Sequence, residues 1–377
     1  MILLSVMLGA FLMYLLQKYL YRKYWDKNLS VNLSLSAEKA VEGDEVILYE
    51  TVTNKKLLPL PILEVKFKTS RNLIFQNMNN SNITDFYYRN DLLSVMMYQK
   101  LTRSLPFICS RRGYYTIHNI DVVCSDLFMT SEAVATLDTD IRLYVYPKPV
   151  NFQKLEASFN KILGSVLTKR FINEDPFEFR GIREYQTYDD LKSVNWKASA
   201  KTGSLKVNVN DYTSSWQVKI FLNLESDSIW KREDLEEESI RLTLSLASAF
   251  ITRGIPVSLY TNGIDILTHE KSIIPAGSGS NHITVFNEVL ARIDTSQEVE
   301  AFVPAFYKDF YDSGKEDYIV IISFYQKEDL QNLLNGLLTD GYGFSWIVPC
   351  NRDVAVSPVE ELSPYVIPWE AEPFNKT

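Results

Sequence analysis

The sequence predicts a multi-domain protein: an N-terminal transmembrane helix, then a β-sandwich domain, then an α/β domain. Three observations predict this order. The first 17 residues carry no charged side chain. Between residues 30 and 146 apolar and polar residues alternate, which is typical of half-buried strands. Beyond residue 213, continuous apolar runs alternate with amphipathic helical patterns, which indicates a parallel sheet covered on both faces.

The composition is that of a globular protein with two or three cores. The chain has 377 residues, of which 46% are hydrophobic and 23% charged, enough for each domain to bury its own core. Its net charge of −8 argues against a general nucleic-acid binder, because such proteins need a basic surface. Cys109, Cys124 and Cys350 lack CxxC spacing, and we interpret them as buried free thiols in a reducing compartment. A Cys109–Cys124 pair is the alternative.

Residues 1–24 are predicted to form the transmembrane helix. A helix that continues to about Tyr21 is ~31 Å long at ~1.5 Å per residue, just enough for a bilayer if Lys18 snorkels. The aromatic residues at its end are Tyr19, Tyr21, Tyr24 and Trp25, and the basic ones are Lys18, Arg22, Lys23 and Lys27. By the positive-inside rule, this basic flank predicts a single-pass protein of the cell membrane with the bulk of the chain in the cytoplasm. A cleaved signal peptide and a buried or amphipathic N-terminal helix are the alternatives.

Residues 30–147 are predicted to form the β-sandwich, with an immunoglobulin-like fold. Val31, Leu33 and Leu35 alternate with polar residues, as do Leu63 and Val65 further along. Turn sequences separate such runs, as expected of an antiparallel sandwich. The polar segment 76–85 contains two N-glycosylation sequons, which matter only if this domain lies outside the cell.

Residues 148–212 are predicted to hold a connector helix, near residues 155–171, and an irregular polar segment. In residues 177–210, aromatic side chains interleave with cations and acids. Such a mixture favours side chains held by hydrogen bonds, ion pairs and stacking. A short edge strand is expected at residues 204–209, where apolar residues alternate with polar ones.

This segment closely resembles the signature of the family called domain of unknown function 58, whose pattern runs roughly F-x-G-x-R-x-Y-x-x-G-D-x-x-R-x-I-D-W-x-x-S-A-R. The matching positions are Phe179, Gly181, Arg183, Tyr185, Asp189, Lys192, Val194, Asn195, Trp196, Ser199, Ala200 and Lys201. Lys192, Val194, Asn195 and Lys201 stand in for Arg, Ile, Asp and Arg. Tyr188 replaces a glycine, which changes the turn if that glycine has positive φ. RRGYY at residues 111–115 and SDLF at 125–128 also resemble family segments, with Met129 in the place of a usual glycine.

The resemblance implies a von Willebrand factor A-like fold for residues 213–357. The residue pattern itself predicts strands at 218–224, 257–260, 264–269, 318–323 and 344–348, and helices at 233–253, 282–293, 304–311 and 330–338. Residues 358–377, which are rich in proline, are expected to form a surface extension.

Domains of the A type often bind magnesium through a D-x-S-x-S loop after the first strand. Here that loop reads Asn223-Leu224-Glu225-Ser226-Asp227, so the first Asp is Asn and both serines are acids. Ser323-Phe324 stands where Ser-Asp is expected. We therefore predict no bound metal and no cofactor.

The sequence gives little support to an enzyme. His118, His269 and His282 lie in no recognisable catalytic frame, and there is no Walker loop or dinucleotide fingerprint. We predict a non-enzymatic protein, with a hydrolase of unrecognised site as a minor alternative.

The signature residues have two interpretations, an inter-domain clamp or a docking face for a partner protein. The residues concerned are Arg180, Gly181, Arg183, Tyr185, Asp189, Lys192, Trp196, Lys197 and Lys201. Proteins of this family look like companions of MoxR-type AAA+ ATPases. The resemblance therefore implies that this chain is a membrane-anchored scaffold or adaptor that partners such an ATPase in assembly or envelope homeostasis. An externally exposed adhesion protein is the alternative.

Overall fold

The computed structural model of the chain describes residues 2–77, 81–172, 174–186, 194–212, 217–228, 231–310 and 314–371. It divides into two compact units, Met1–Lys148 and Pro149–Thr377. The finer division into five segments remains a prediction.

The first unit begins with a helix that is long and apolar enough to cross a membrane. Helix α1 spans Ile2–Tyr24, and the candidate span within it, Leu3–Tyr24, is almost entirely exposed. A signal sequence near the N-terminus has the same properties, so the side of the membrane is not fixed by this helix.

Beyond α1, the described residues of the first unit form ten strands in two sheets. The strands are β1 (Leu29–Leu35), β2 (Lys39–Val41), β3 (Glu45–Asn54), β4 (Leu60–Ser70), β5 (Leu73–Phe75), β6 (Ser81–Ile83), β7 (Phe86–Val95), β8 (Lys100–Cys109), β9 (Gly113–Ser125) and β10 (Glu132–Tyr146). One sheet has the order β1-β3-β8-β5 and the other β2-β10-β9-β4-β7-β6. All pairs are antiparallel except β2 with β10. Alternating residues of both sheets enter one shared core, as the period-two pattern predicts.

A cluster of charged side chains lies inside this core. Glu50 and Asp91 are each 1% exposed and Arg89 is 2% exposed. Arg89 Nε donates to Asp91 Oδ2 at 2.5 Å. Arg103 Nη1 lies 3.3 Å from Asp91 Oδ1 and 3.9 Å from Glu50 Oε2. Burial and the nearby Asp91 raise the pKa of Glu50 to about 7, against the opposing effect of Arg103 and Arg89. One ion-paired group therefore connects the two sheets through their apolar interior.

The cysteines are all free thiols. Cys109 and Cys124 are buried, and burial raises their pKa to about 12 and about 11, respectively. Cys350 is half-buried. The alternative of a Cys109–Cys124 pair is therefore wrong.

The second unit contains six helices and nine strands in its described residues. They are α2 (Phe152–Ile172), β11 (Glu174–Glu184), α3 (Trp196–Thr202), β12 (Lys206–Tyr212), β13 (Val218–Asn223), α4 (Glu233–Thr252), β14 (Val257–Asp265), β15 (Lys271–Gly277), α5 (Ser280–Arg292), β16 (Ile293–Asp294), α6 (Phe302–Phe310), β17 (Tyr318–Ser323), α7 (Glu328–Thr339), β18 (Gly343–Cys350) and β19 (Val366–Glu370), with a 3-10 helix at Glu360–Tyr365.

A seven-stranded sheet with covered faces organises this unit. Its order is β15-β14-β13-β17-β18-β19, and the short β16 also pairs with β14. The neighbours from β14 to β19 are parallel, whereas β15 is antiparallel. Ile220 and Leu222 of β13 enter the core beneath α2, α4 and α5. Phe221 enters a second core beneath α6 and α7. The predicted α/β layering is thus confirmed.

Two predictions about the seven-stranded sheet are wrong. The first split residues 257–269 into two strands, whereas β14 runs unbroken through Thr261-Asn262-Gly263. That sequence resembles a turn, but Gly263 is there for close packing: a Cβ on it would lie 2.8 Å from Ile293 Cγ2 and 3.0 Å from Leu224 Cδ1. The next strand in the chain is β15, which pairs with β14 in the antiparallel direction.

The second error concerns the tail. Instead of a surface extension, residues 366–370 form β19, which pairs in parallel with β18. Trp369 is 1% exposed, and its indole Nε1–H donates to Glu238 Oε1 of α4 at 2.8 Å. The segment is thus part of the sheet and of the core.

Candidate functional site

The sheet of the second unit has a topological switch point between β13 and β17. Chain order runs outward from β13 through β14 to β15 on one side, and from β17 to β19 on the other. In open α/β sheets, ligands bind in the crevice outside the carboxyl ends of the strands at such a point. Asn223 ends β13 and Ser323 ends β17, and the two are register partners.

A network of neutral polar groups fills this position. Asn223 Nδ2 donates to Ser323 Oγ at 3.0 Å. Asn223 Oδ1 accepts from Asn262 Nδ2 at 3.0 Å and from the Glu225 amide at 2.8 Å. Asn262 Oδ1 in turn accepts from the Leu224 amide at 2.9 Å. Since Asn223 and Ser323 are fully buried and Asn262 is 1% exposed, the network ties three strands together away from water.

Acidic residues lie next to this network. Glu225 Oε2 accepts from the Phe302 amide at 2.8 Å and so positions the start of α6. The Tyr325 hydroxyl donates to both carboxylate oxygens of Asp329, at 3.0 and 2.9 Å. Burial, this hydrogen bond and the carboxylates of Glu225 and Asp227 raise the pKa of Tyr325. Tyr325 is therefore a neutral hydrogen-bond donor here.

An open crevice of about 610 Å³ adjoins the switch point. It is lined by Tyr325, Lys327, Glu328, Asp329 and Asn332. Within the described residues, no group of three or more His, Cys, Asp or Glu side chains is placed to hold a metal ion. The oxygen of Asn223, which the sequence analysis compared with the first ligand position of an A-type metal site, already accepts two hydrogen bonds. The crevice thus offers polar contacts to a ligand, while the buried carboxamide behind it serves the fold.

The signature segment was predicted to be irregular, and this is wrong for its described residues, which form a hairpin-like unit of β11, α3 and β12. β11 and β12 are antiparallel, with Gly181 opposite Val209 and Arg183 opposite Val207. An isolated bridge joins Val194 to Val207. Gly203 ends α3 with φ of 71°, and its amide donates to Ser199 O at 2.9 Å.

Asn195 and Ser199 hold α3 on β12. Asn195 Oδ1 caps the helix by accepting from the Ala198 amide at 2.9 Å, while its Nδ2 donates to Asn208 Oδ1 at 2.7 Å. Ser199 Oγ donates to Asn195 O and accepts from the Lys206 amide, both at 2.8 Å. These two residues matched the family pattern, but sequence reasoning gave them no role.

The structure places the predicted site residues in different surroundings. Trp196 is 67% exposed, and Lys197 and Lys201 of the same helix are exposed. Arg183 is exposed and its Nη1 donates to Glu184 O at 3.0 Å. Tyr185 is half-buried, and its amide donates to Leu205 O at 3.0 Å. Gly181 is half-buried within β11.

The remaining members are less well defined. Arg180 belongs to β11, but its side chain lies outside the described part of the chain, and Asp189 and Lys192 lie outside the described residues altogether. The described residues therefore bring together an exposed indole and two lysines, which we call the α3 face: Trp196, Lys197 and Lys201.

Neither a family model nor a curated protein matches the chain. Solved structures with some similarity include a non-cellulosomal cohesin from Archaeoglobus fulgidus, at 11% identity over 31% of this chain and 91% of that one, with a TM-score of 0.23. The CARDB domain of a Pyrococcus furiosus protein has 15% identity over 31% of this chain and 91% of its own, with a TM-score of 0.21. The sporulation control protein Spo0M from Bacillus subtilis has 10% identity over 42% of this chain and 58% of its own, with a TM-score of 0.19. TM-scores this low do not establish a shared fold. The resemblance to the domain of unknown function 58 family therefore remains a prediction.

Proposed function

We propose that this chain is a non-enzymatic, membrane-anchored scaffold that binds a partner protein through the α3 face. The observation that carries the proposal is the exposure of Trp196. Tryptophan is enriched among the residues that dominate binding energy at protein interfaces, and burying such a ring on a partner removes a large apolar area from water. Asn195 and Ser199 fix the helix that presents it, so little ordering is needed on binding.

The charge of the α3 face suggests an acidic partner surface. Lys197 and Lys201 are four positions apart, so they lie on one side of α3. On a chain with net charge −8, a local pair of cations steers an acidic surface and disfavours wrong partners. By the family resemblance, the partner is a MoxR-type AAA+ ATPase.

The fold of the second unit supports the von Willebrand factor A-like assignment. When the short β16 is left out and the other strands are numbered in chain order, the strand order is 3-2-1-4-5-6 with strand 3 antiparallel. Because the first ligand position is a buried, hydrogen-bonded Asn223, we propose recognition without a metal ion. The two sheets of the first unit, with their shared core, support the immunoglobulin-like assignment in the same way.

We further propose that both units lie in the cytoplasm. The cations that follow the apolar part of α1 favour this orientation. Protease added to intact cells should leave the bulk of the chain uncut, whereas cleavage within the first unit from outside would favour an adhesion role.

Binding is tested with the full chain in detergent and the purified MoxR-type ATPase encoded nearest to its gene. Trp196→Ala and the double reversal Lys197→Glu/Lys201→Glu should each weaken binding by about tenfold, which corresponds to about 1.4 kcal/mol. The matched control is Lys308→Glu/Lys315→Glu, which reverses two exposed lysines elsewhere in the second unit. Wild-type binding should also weaken with salt as the Debye length falls to about 8 Å. Equal affinities for the α3 double reversal and its control would exclude the α3 face, and no binding by the wild-type chain would refute the ATPase partner.

A further inference from the structure

The end of the β-sandwich that faces helix α1 carries an unusual number of exposed apolar side chains. They lie on three connections: residues 55–59 before β4, 96–99 between β7 and β8, and 126–131 between β9 and β10. Seven side chains on them are each more than half exposed; they are Leu57, Met96, Met97, Tyr98, Leu127, Phe128 and Met129. We call these seven residues the apolar rim.

The three connections are joined to one another and to α1. The Tyr98 amide donates to Lys56 O at 3.3 Å, which links the first two. The Tyr21 hydroxyl donates to Pro59 O at 2.7 Å, and Lys56 Nζ donates to Trp25 O at 2.6 Å. The first connection therefore contacts the C-terminal end of the helix, and the second connection is hydrogen-bonded to the first.

The third connection reaches further along the helix. The Tyr14 hydroxyl donates to Thr130 Oγ1 at 3.2 Å, and the rings of Tyr14 and Phe128 lie 6.1 Å apart. Residues 3–13, before this contact, are all exposed. The uncharged stretch of α1 continues past Tyr14 to Gln17.

The place of this contact along α1 sets the depth of the rim. If α1 crosses a bilayer, its uncharged stretch lies in the hydrocarbon core, and Tyr14, within that stretch, lies beside Phe128. The loop that contacts Tyr14 is thus at the level of the lipid, where the cost of exposing Leu127, Phe128 and Met129 to water disappears.

Two features show that the second and third connections have defined conformations. Tyr98 and Met129 both have φ of 53°, a left-handed conformation that favours glycine over a large side chain. Asp126 holds the third connection by accepting hydrogen bonds from the Phe128 and Thr130 amides at 3.0 and 2.9 Å and from the hydroxyls of Thr130 and Ser131. These bonds keep the pKa of Asp126 low, at about 2, despite the opposing effect of burial. Large apolar residues thus occupy strained positions in a fixed loop.

We propose that the apolar rim inserts into the surface of the lipid bilayer in which α1 is anchored. Four elements, α1 and the three connections, then hold the sandwich against the membrane, so its position does not depend on α1 alone. Lys23 and Lys27 lie over the rings of Tyr19 and Tyr24, which places cations beside the rim at the height of anionic headgroups. This inference rests on the membrane anchoring of α1 and is independent of the partner proposed above.

The test uses the full chain in vesicles of phosphatidylcholine and phosphatidylglycerol in equal amounts. Single cysteines are introduced into a Cys350→Ser background by Phe128→Cys on the rim, Phe86→Cys as the matched control and Phe11→Cys on the helix. Phe86 is an exposed phenylalanine at the start of β7, the strand whose other end leads to the rim. Each cysteine carries an environment-sensitive fluorophore, and nitroxide-labelled lipids serve as quenchers. Thermal melts confirm that each variant folds.

Strong quenching at positions 11 and 128, with little at 86, is the expected result. Quenching at 11 but equally weak quenching at 128 and 86 would overturn the rim and leave the anchor intact. An absence of quenching at all three positions would overturn both the rim and the membrane anchoring of α1. Met97→Cys repeats the comparison on a second connection, so a local distortion at Phe128 cannot decide the outcome.

Discussion

Asn223 and Ser323, a hundred positions apart in the chain, are joined by a 3.0 Å hydrogen bond between the carboxyl ends of two neighbouring parallel strands. This bond occupies the switch point of the sheet, where many proteins of this architecture place a ligand. The first prediction follows from its burial.

Replacing Asn223 by alanine should destabilise the second unit by about 1–3 kcal/mol, the cost of leaving buried donors and acceptors unpaired. Ser323 Oγ, Asn262 Nδ2 and the Glu225 amide each lose a partner. Asn332→Ala, at an exposed position of α7, is the control and should have little effect. Denaturant unfolding of the full chain measures both variants, and equal stabilities would contradict the role of the network.

Magnesium should not raise the melting temperature of the full chain. The oxygen of Asn223 already accepts two hydrogen bonds, so a cation at this position would have to break them. A specific site would stabilise the chain by about 2.7 kcal/mol at a hundredfold excess over Kd. A magnesium-dependent rise that Asn223→Ala abolishes would refute this prediction.

Two tryptophans should respond oppositely to truncation. Trp369→Ala should cost about 3–5 kcal/mol, because it empties a buried site and leaves Glu238 without its indole donor. Trp196→Ala should leave stability nearly unchanged, since its ring is 67% exposed. Thermal or denaturant melts compare the two, and a large loss for Trp196→Ala would restore the clamp interpretation.

The stability of the first unit should fall as the pH rises from about 4.5 towards 7. The pKa of Glu50 is raised from 4.5 to about 7 by burial and by Asp91, so in this window the folded state binds more protons than the unfolded state. By linkage, the free energy of unfolding then decreases with pH, by about 3 kcal/mol over the full window.

The Glu50→Gln variant should flatten this slope, because it removes the group that titrates. Glu45→Gln, at the exposed start of the same strand, should keep the wild-type slope. Unfolding curves at a series of pH values supply the comparison. An unchanged slope in Glu50→Gln would show that another group causes the dependence.

Removing residues 359–377 should abolish the cooperative melting of the second unit, whereas removing residues 372–377 should not. The longer truncation deletes β19 and the 3-10 helix before it, which leaves the edge of β18 unpaired and Leu362, Val366 and Trp369 missing from the core. Calorimetry of the two truncated chains distinguishes them. A normal transition in the shorter chain would mean that β19 is dispensable.

The parts of the fold that local patterns determine were predicted well. The strand at residues 318–323 is an unbroken apolar run, and the structure has it at Tyr318–Ser323. Helix α4 was predicted at 233–253 and ends at Thr252, because Gly254 and Pro256 stop it. In the first unit, alternation gave the strand faces correctly because one face of each is buried.

The errors arise where a distant contact overrides a local signal. Thr261-Asn262-Gly263 resembles a turn, yet Gly263 lies against Ile293 and Leu224, and Asn262 completes the network at Asn223. Residues 366–370 contain Pro368, which argues against a strand, but the edge position of β19 tolerates it. A short stretch of sequence shows neither the contacts of Gly263 and Asn262 nor the pairing of β19 with β18.

The candidate site was predicted only in part for the same reason. The departures at Asn223 and Phe324 were visible in the loop sequence. The bond between Asn223 and Ser323, however, depends on the pairing of β13 with β17. The exposure of Trp196 depends on the cap formed by Asn195 and on the way Ser199 fastens α3 to β12. Residue types alone do not distinguish an exposed indole from a buried one.

The late position of β19 also bears on how the chain is made. During translation, β18 leaves the ribosome well before the strand that covers its open edge, so the nascent second unit carries an unpaired apolar edge next to Trp346 for that interval. Such edges recruit other chains. We expect chaperones to be needed in this interval, and messages that end before residue 366 to yield insoluble or rapidly degraded protein.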